Sequence, residues 1–185
     1  MLDLSAGGRL LLGTVGWERA DWLSGYYPPD LPPEWRFSYY ANDCACVMLA
    51  ADSWCGMDRD ALEGILEEAE GRLLFFLEAP AQGQCDSRAN LSLFASCPAI
   101  LLVERPDPGH TLLPQWVAQG AGAWVDSDSD ASLVRWPLDV ADLRALRVRA
   151  DALPESVRAL VLDGPSASPA MVPELRTMLE LMGKA

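Results

Sequence analysis

Residues 10–22 read LLLGTVGWERADW, and this stretch contains the strongest fold signal in the chain. The apolar run Leu10–Leu12 is typical of a strand that is buried on both faces. It ends in a turn that holds Gly13 and Gly16 and two tryptophans, Trp17 and Trp22. Glycines let a backbone approach a ligand closely, and loops after strands often carry binding residues. The stretch therefore predicts a first buried strand whose carboxyl end contributes to a binding site.

Composition limits the class of protein. The chain has 185 residues, 50% of them hydrophobic and 22% charged, which predicts one globular domain over residues 1–185. A net charge of −13 makes it an acidic protein and disfavours both nucleic acid and anionic membranes as partners. The start has neither the basic nor the long apolar segment of a signal peptide, so we expect a cytoplasmic protein. An odd number of cysteines, five, favours reduced thiols.

Short apolar runs alternate with amphipathic segments along the chain. The alternation predicts an α/β protein with a mostly parallel sheet, either open or closed into a barrel. The predicted strands are Leu10–Thr14, Ala45–Ala51, Leu73–Glu78, Ala99–Val103, Ala121–Val125, Leu133–Trp136 and Ala159–Leu162. The predicted helices are Glu34–Asn42, Asp58–Glu70, Asp86–Ala95, Leu112–Gln119, Val140–Arg149 and Met171–Met182.

One connection is too short for this pattern. Only residues 127–132, SDSDAS, separate Asp126 from Leu133, which is not enough for a crossover helix between parallel strands. Either the strand Leu133–Trp136 is antiparallel, or an element of the repeating pattern has been lost.

The segment GTVGWERADWLSGYYPPDLPPEWRFSYYA, residues 13–41, resembles the opening of the domain-of-unknown-function-72 (YecE-like) family. Weaker likeness continues through residues 99–128, 133–137 and 159–182, so it spans nearly the whole chain. The matching residues of the first segment are Gly13, Thr14, Gly16, Trp17, Trp22, Gly25, Tyr27, Pro28, Tyr39, Tyr40 and Ala41.

The resemblance implies a barrel of alternating strands and helices, a fold that typically needs about 250 residues. We therefore expect a shortened or incomplete (β/α) TIM-barrel-like fold. The chain also departs from the family pattern at polar positions. Residues 47–54 read VMLAADSW where a glutamate and an asparagine are expected, Glu78 stands for a lysine, and Trp136 stands for a histidine. The resemblance thus implies that much of a polar centre has been replaced.

Ligands of such folds bind at the carboxyl ends of the strands. Glu104 and Asp126 follow predicted strands and are candidate catalytic carboxylates, and Arg105 and Arg135 are candidates for holding an anion. Arg135 joins this group only if its strand is parallel. The other candidate ligand contacts are Gly13, Trp17, Trp22 and Tyr27. Polar residues also follow strands because turns are solvated, and aromatic residues also fill cores, so both interpretations stay open.

We expect neither a metal nor a cofactor. Cys44 and Cys46 share one face of a strand and are better explained as buried thiols than as ligands, and His110 stands alone in a loop. The acidic segment DSDSD, residues 126–130, lacks the glycine and the distal glutamate of a calcium loop.

Three hypotheses about function follow. The first is a YecE-like barrel, expected to be non-catalytic, that binds a small ligand, anionic if the arginines hold it, or a protein partner. The second is a hydrolase or lyase that acts on a phosphorylated or sugar-like small molecule, with Glu104 or Asp126 as base and the arginines as an anion clamp. The third is an interaction module, for example a homodimer that covers the exposed strand edges of an incomplete barrel.

Overall fold

The computed structural model describes residues 9–81, 88–110, 112–120 and 122–184. Eight strands form a closed barrel in which neighbours in sequence are neighbours in space. The predicted α/β, TIM-barrel-like fold is confirmed, and the incomplete form of it is wrong because the barrel closes. The strands are β1 (Leu11–Val15), β2 (Cys46–Leu49), β3 (Leu74–Glu78), β4 (Ala99–Val103), β5 (Gln115–Gly120), β6 (Ala123–Asp126), β7 (Ser132–Pro137) and β8 (Val157–Asp163).

Seven strands run in one direction, and β6 runs against them. It pairs antiparallel with both β5 and β7, whereas β7 pairs parallel with β8. The short connection after Asp126 does join antiparallel strands, as the sequence requires, but β6 is the reversed strand. We call the carboxyl ends of the seven parallel strands the mouth of the barrel and their amino ends its base.

The predicted helix Leu112–Gln119 is wrong, because most of it forms β5. Leu112, Leu113, Trp116 and Val117 are spaced as one face of a helix would require, but they also fit a strand that begins after Pro114. In the barrel, Trp116 faces the lumen and Val117 faces outward. Pairing with β4 on one side and β6 on the other satisfies the backbone of this segment, so tertiary pairing overrides the helical pattern.

The other predicted helices are present, most of them with shifted ends, and α2 is additional. The start of the predicted helix Asp86–Ala95 and the first residue of the predicted strand Ala121–Val125 lie outside the described residues. Helix α3 begins after Asp58, whose carboxylate accepts a hydrogen bond from the Ala61 N–H at 2.9 Å. Between β4 and β7 the described residues form loops and hairpins rather than helices, which is where the fold is shortened. The helices are α1 (Arg36–Asp43), α2 (Ala51–Cys55), α3 (Arg59–Ala69), α4 (Arg88–Phe94), α5 (Leu143–Asp151) and α6 (Val172–Leu181).

Side chains alternate between two cores along each strand, because successive residues of a strand point to opposite faces. The lumen is filled by one set of buried side chains, which includes Met48, Phe76 and Leu133. The outer faces of the strands pack against the helices through a second set, which includes Val47 and Phe75. The lumen is thus a packed core below the mouth, so it is not a channel.

The buried Tyr40 joins β1 to β2 from the helix side. Its hydroxyl accepts a hydrogen bond from the Thr14 N–H at 3.0 Å and donates one to the Cys46 carbonyl at 2.8 Å. Beside it, Gly13 packs so closely that a Cβ atom there would lie 1.9 Å from the Cys46 carbonyl oxygen. Two residues of the family-like opening, Gly13 and Tyr40, therefore set the contact between the first two strands.

Each of the eight strands pairs on both sides, so the expectation of exposed strand edges is wrong, and the homodimer stays a prediction. The expectation of reduced thiols is confirmed for Cys44, Cys46 and Cys97, which are free, and is wrong for Cys55, which is disulfide-bonded. Within the described ranges, every helix is too short or too polar to cross a bilayer.

Replacing Gly13 by alanine should destabilise the fold, because the new methyl group forces β1 and β2 apart. We expect a loss of at least about 2 kcal/mol in the free energy of unfolding, measured by urea denaturation. Gly64→Ala is the matched control, since a Cβ at this position of helix α3 would have no atom within 4 Å apart from its chain neighbours and the helix's own backbone. It should raise stability by roughly 0.5–1 kcal/mol, and equal effects of the two substitutions would contradict the close approach.

Candidate functional site

Three charged side chains meet on the lumen side of the mouth. Glu78, Arg135 and Asp163 each lie two residues after a lumen-facing residue of β3, β7 and β8, so alternation directs them into the barrel. Arg135 Nη1 lies 3.1 Å from Glu78 Oε1, and Arg135 Nε lies 3.8 Å from Asp163 Oδ2. We call this group the mouth array. Its side chains are 31–37% exposed, so a small molecule can reach them from solvent.

Backbone contacts hold the mouth array in place. The Arg135 N–H donates to the Gly122 carbonyl at 2.7 Å, and Asp163 Oδ1 accepts from the Gly164 N–H at 2.6 Å. Gly164 has φ +94°, and a Cβ there would lie 2.7 Å from the Leu138 carbonyl oxygen, so the turn after β8 requires glycine. Arg19 Nη1 also donates to the Gly164 carbonyl at 2.7 Å, which ties the turn after β1 to the turn after β8.

The electrostatics of the mouth centre on Glu78. Burial raises the pKa of its carboxyl above the ordinary value of 4.5, and the nearby carboxylates of Asp163 and Asp52 raise it further. The Arg135 guanidinium, which is hydrogen-bonded to Glu78, lowers it in part. A carboxyl group with a raised pKa in a concave site is a recognised mark of a functional position.

A pocket of about 570 Å³ opens beside the mouth array. Glu78 belongs to both, and Trp124 forms part of the pocket wall while its ring lies 5.6 Å from the Arg135 guanidinium carbon. The far wall is the loop after β4, which Gln115 holds through hydrogen bonds with the Asp107 backbone at 2.7 and 2.8 Å. The polar lining consists of Glu78, Glu104, Arg105, Asp107, His110 and Gln115.

The structure brings together only some of the charged residues that the sequence singled out. Arg135 lies at the mouth because β7 is parallel to β8, and Glu104 and Arg105 line the pocket from exposed positions. Asp126 lies at the base instead, because β6 is reversed, and it pairs across from Trp116 at the start of β5. The expected placement of Glu104 and Asp126 at the same end of the barrel is therefore wrong.

The aromatic residues after β1 pack against the protein itself. Trp22 is buried, and its indole N–H donates to the Ala167 carbonyl at 2.9 Å. Tyr27 is buried, and its hydroxyl donates to the Trp17 carbonyl. Trp17 meets Phe37 edge-on, with ring centroids 5.1 Å apart. Together with Gly13, which packs on β2, these residues shape the turn after β1, and their predicted contact with a ligand stays a prediction.

Glu78 ends the predicted strand Leu73–Glu78 and Asp163 follows the predicted strand Ala159–Leu162, but neither is among the site residues expected from the sequence. The available signal was period-two alternation: two residues before each lies a residue that the structure shows facing the lumen, Phe76 and Val161. Trp124 had no such signal, since its place in the pocket depends on the reversal of β6. Within the described ranges, no group of three His, Cys, Asp or Glu side chains is arranged to hold a metal ion.

The fold and the mouth array define the class of protein. It is an α/β barrel of eight strands whose carboxyl end is charged and partly exposed. No family model and no curated protein sequence matches the chain. Among solved structures, a DUF72 family protein from Thermotoga maritima MSB8 aligns with a TM-score of 0.53 at 11% identity, over 96% of this chain and 100% of the other. A DUF72 family protein from Enterococcus faecalis V583 aligns with a TM-score of 0.28 at 9% identity, over 96% and 98%.

The similarity in fold rests on the first of these structures, and it shows that the chain has a DUF72-like fold. The resemblance seen in residues 13–41 is confirmed at the level of the fold.

Glu78→Gln should change how stability depends on pH. Because the pKa of Glu78 is higher in the folded protein than in the unfolded chain, its ionisation destabilises the fold as pH rises above about 4.5. The free energy of unfolding of Glu78→Gln, relative to the natural protein, should therefore increase in urea titrations as the pH rises from about 4. Glu67→Gln, at an exposed position of α3, controls for the loss of one negative charge. A relative stability that falls over this range would contradict the raised pKa.

Proposed function

We propose that this protein binds a small polar molecule at the mouth of the barrel and does not transform it. The observation that carries the proposal is the mouth array, a fixed set of hydrogen-bonding groups that is partly exposed beside a pocket of about 570 Å³. Concave sites with a few fixed polar groups and an apolar wall are the usual form of small-molecule sites.

The groups of the mouth array suit a ligand that carries hydroxyl groups. Glu78 and Asp163 accept hydrogen bonds, while Arg135 offers several N–H donors in a planar fork. Trp124 and Leu102 supply an apolar part of the pocket lining. A ligand with hydroxyls on one face and carbon atoms on the other would match both kinds of surface.

An anionic group on the ligand would have to contact Arg105. The charge of Arg135 is already balanced by the carboxylates of Glu78 and Asp163, whereas Arg105 lies exposed in the pocket wall. Arg105 is therefore the residue that would contribute preference for a phosphate or carboxylate.

The non-catalytic part of the proposal rests on where the candidate bases lie. Glu104 is exposed to solvent and is not one of the two carboxylates that pair with Arg135, and Asp126 lies at the opposite end of the barrel, at the base. General base catalysis needs a proton acceptor that is held within hydrogen-bonding reach of the substrate.

A thermal-shift screen tests binding. Sugars, sugar phosphates, nucleotides and simple anions would be added to the natural protein, to Arg135→Gln and to Arg147→Gln, whose side chain lies exposed on α5 away from the mouth. A ligand at about 100 times its Kd should raise the melting temperature by roughly 5 °C or more in the natural protein and in Arg147→Gln. The shift should disappear in Arg135→Gln. A shift of equal size in all three proteins would place binding elsewhere, and no shift with any compound would count against the proposal.

A second candidate function is catalysis with Glu78 as the base. The observation that favours it is the raised pKa of Glu78, together with its hydrogen bond to Arg135 at the mouth. Glu78 would be the carboxylate base of a hydrolase or lyase acting on a phosphorylated or sugar-like molecule, and Arg105, in the wall of the same pocket, would be the anion clamp.

Assays with p-nitrophenyl phosphate and p-nitrophenyl glycosides test this second candidate. The rate should rise with pH as Glu78 ionises, and Glu78→Gln should lower kcat by roughly 100-fold or more. Turnover that survives in Glu78→Gln, or no turnover by the natural protein, would contradict catalysis by Glu78.

A further inference from the structure

A second pocket lies at the base of the barrel, at the opposite end from the mouth array. It has a volume of about 420 Å³ and includes Asp126, the carboxylate that the reversal of β6 carries to this end. We propose that this pocket is a binding site for a small apolar amine, such as an aromatic ring on a short chain that ends in an ammonium group. The site is separate from the one proposed at the mouth and does not depend on it.

The walls of the base pocket are almost entirely apolar. They come from the first residues of β3, β4 and β5 and from the segments before β4 and β5, and they include Leu74, Ala99, Ile100, Leu113 and Trp116. These five side chains are 2–6% exposed and are held by the core, so the walls are already formed without a ligand. Trp116 is further fixed by Phe76, with ring centroids 5.5 Å apart. A preformed apolar wall of this kind favours a ligand with a hydrocarbon or aromatic body.

Asp126 determines which polar group the ligand must carry. Its carboxylate oxygens accept hydrogen bonds from the Asp128 N–H at 3.3 Å and from the Ser129 hydroxyl at 2.5 Å. A carboxylate has about four acceptor positions and no proton to donate when it is ionised, so it can accept further bonds but can offer none. The ligand must therefore present a donor to Asp126, and an ammonium group makes the stronger, charge-assisted bond.

The overall charge of the protein also favours an amine as the ligand. The net charge of −13 gives a negative field that attracts cations and repels anions. An apolar acid would place a second negative charge beside Asp126, whereas an apolar amine would neutralise it. The packed lumen, with Phe76, Met48 and Leu133 between the two ends, separates this pocket from the mouth array.

Protection of Cys97 from a maleimide reagent tests the proposal, because this free thiol lines the base pocket. Cys97 is half-buried whereas the free thiols of Cys44 and Cys46 are buried, so it should be labelled first among these three, and Cys97→Ser identifies its signal. Burial raises the pKa of Cys97 to about 11, which makes labelling slow enough to follow by mass spectrometry. The probes are 2-phenylethylamine, the neutral 2-phenylethanol and the anionic 3-phenylpropionate, which share a ring and differ in charge.

We expect 2-phenylethylamine to slow labelling of Cys97 saturably, with an affinity roughly tenfold higher than that of 2-phenylethanol. 3-Phenylpropionate should protect least. Asp126→Asn keeps an acceptor for the turn but removes the charge, so it should abolish the advantage of the amine over the alcohol. Glu78→Gln, at the mouth, should leave that advantage unchanged.

Two results would overturn the proposal. No saturable protection by any of the three probes would mean that the base pocket does not bind apolar molecules. An amine advantage that persists in Asp126→Asn, or equal protection by the amine and the acid, would remove Asp126 as the selecting group and with it the assigned ligand class.

Discussion

The short length of the chain between β5 and β7 fixes the direction of β6, and the arrangement of both ends of the barrel follows from that direction. Parallel neighbours in a sheet need a crossover of a dozen or more residues, and the segments on either side of β6 are too short for one. The strand must therefore run backwards, hydrogen-bonded to β5 on one side and β7 on the other. Because β6 is reversed, the barrel closes without a helix on either side of this strand. The reversal also brings Trp124 toward the mouth and Asp126 to the base.

The charged side chains of the mouth array partly neutralise one another, and they also stay accessible to solvent. Arg135 lies between two carboxylates, which limits its value as an anion clamp but fixes the orientation of its fork. Glu78 has the opposite character, since burial and the neighbouring carboxylates hold its pKa above the ordinary value. The same three residues thus serve a binding site well, and one of them, Glu78, has the environment of a base.

The two ends of the barrel differ in chemistry because different residues occupy the outermost layer of the lumen at each end. At the mouth this layer is charged, with Glu78, Arg135 and Asp163. At the base it is apolar, with Leu74, Ile100 and Trp116, and Asp126 is the charged residue in its wall. Alternation along every strand keeps the layers in register, so one buried core supports two separate surfaces.

The sequence by itself determined the class of fold, most helices and the strand ends at which polar residues gather. Buried runs, caps and the opening residues 13–41 are local signals, and the resemblance of those residues to the DUF72 family held at the level of the fold. It did not determine β5, because Leu112, Leu113, Trp116 and Val117 fit both a helix and a strand.

Only the tertiary structure decided which charged residues meet. Arg135 and Asp126 follow equally plausible strand patterns, yet one faces the mouth and the other the base, since the direction of a strand is fixed by its neighbours rather than by its own residues. The burial of Trp22 and Tyr27 was equally beyond the sequence, because an aromatic side chain packs as well into a core as against a ligand.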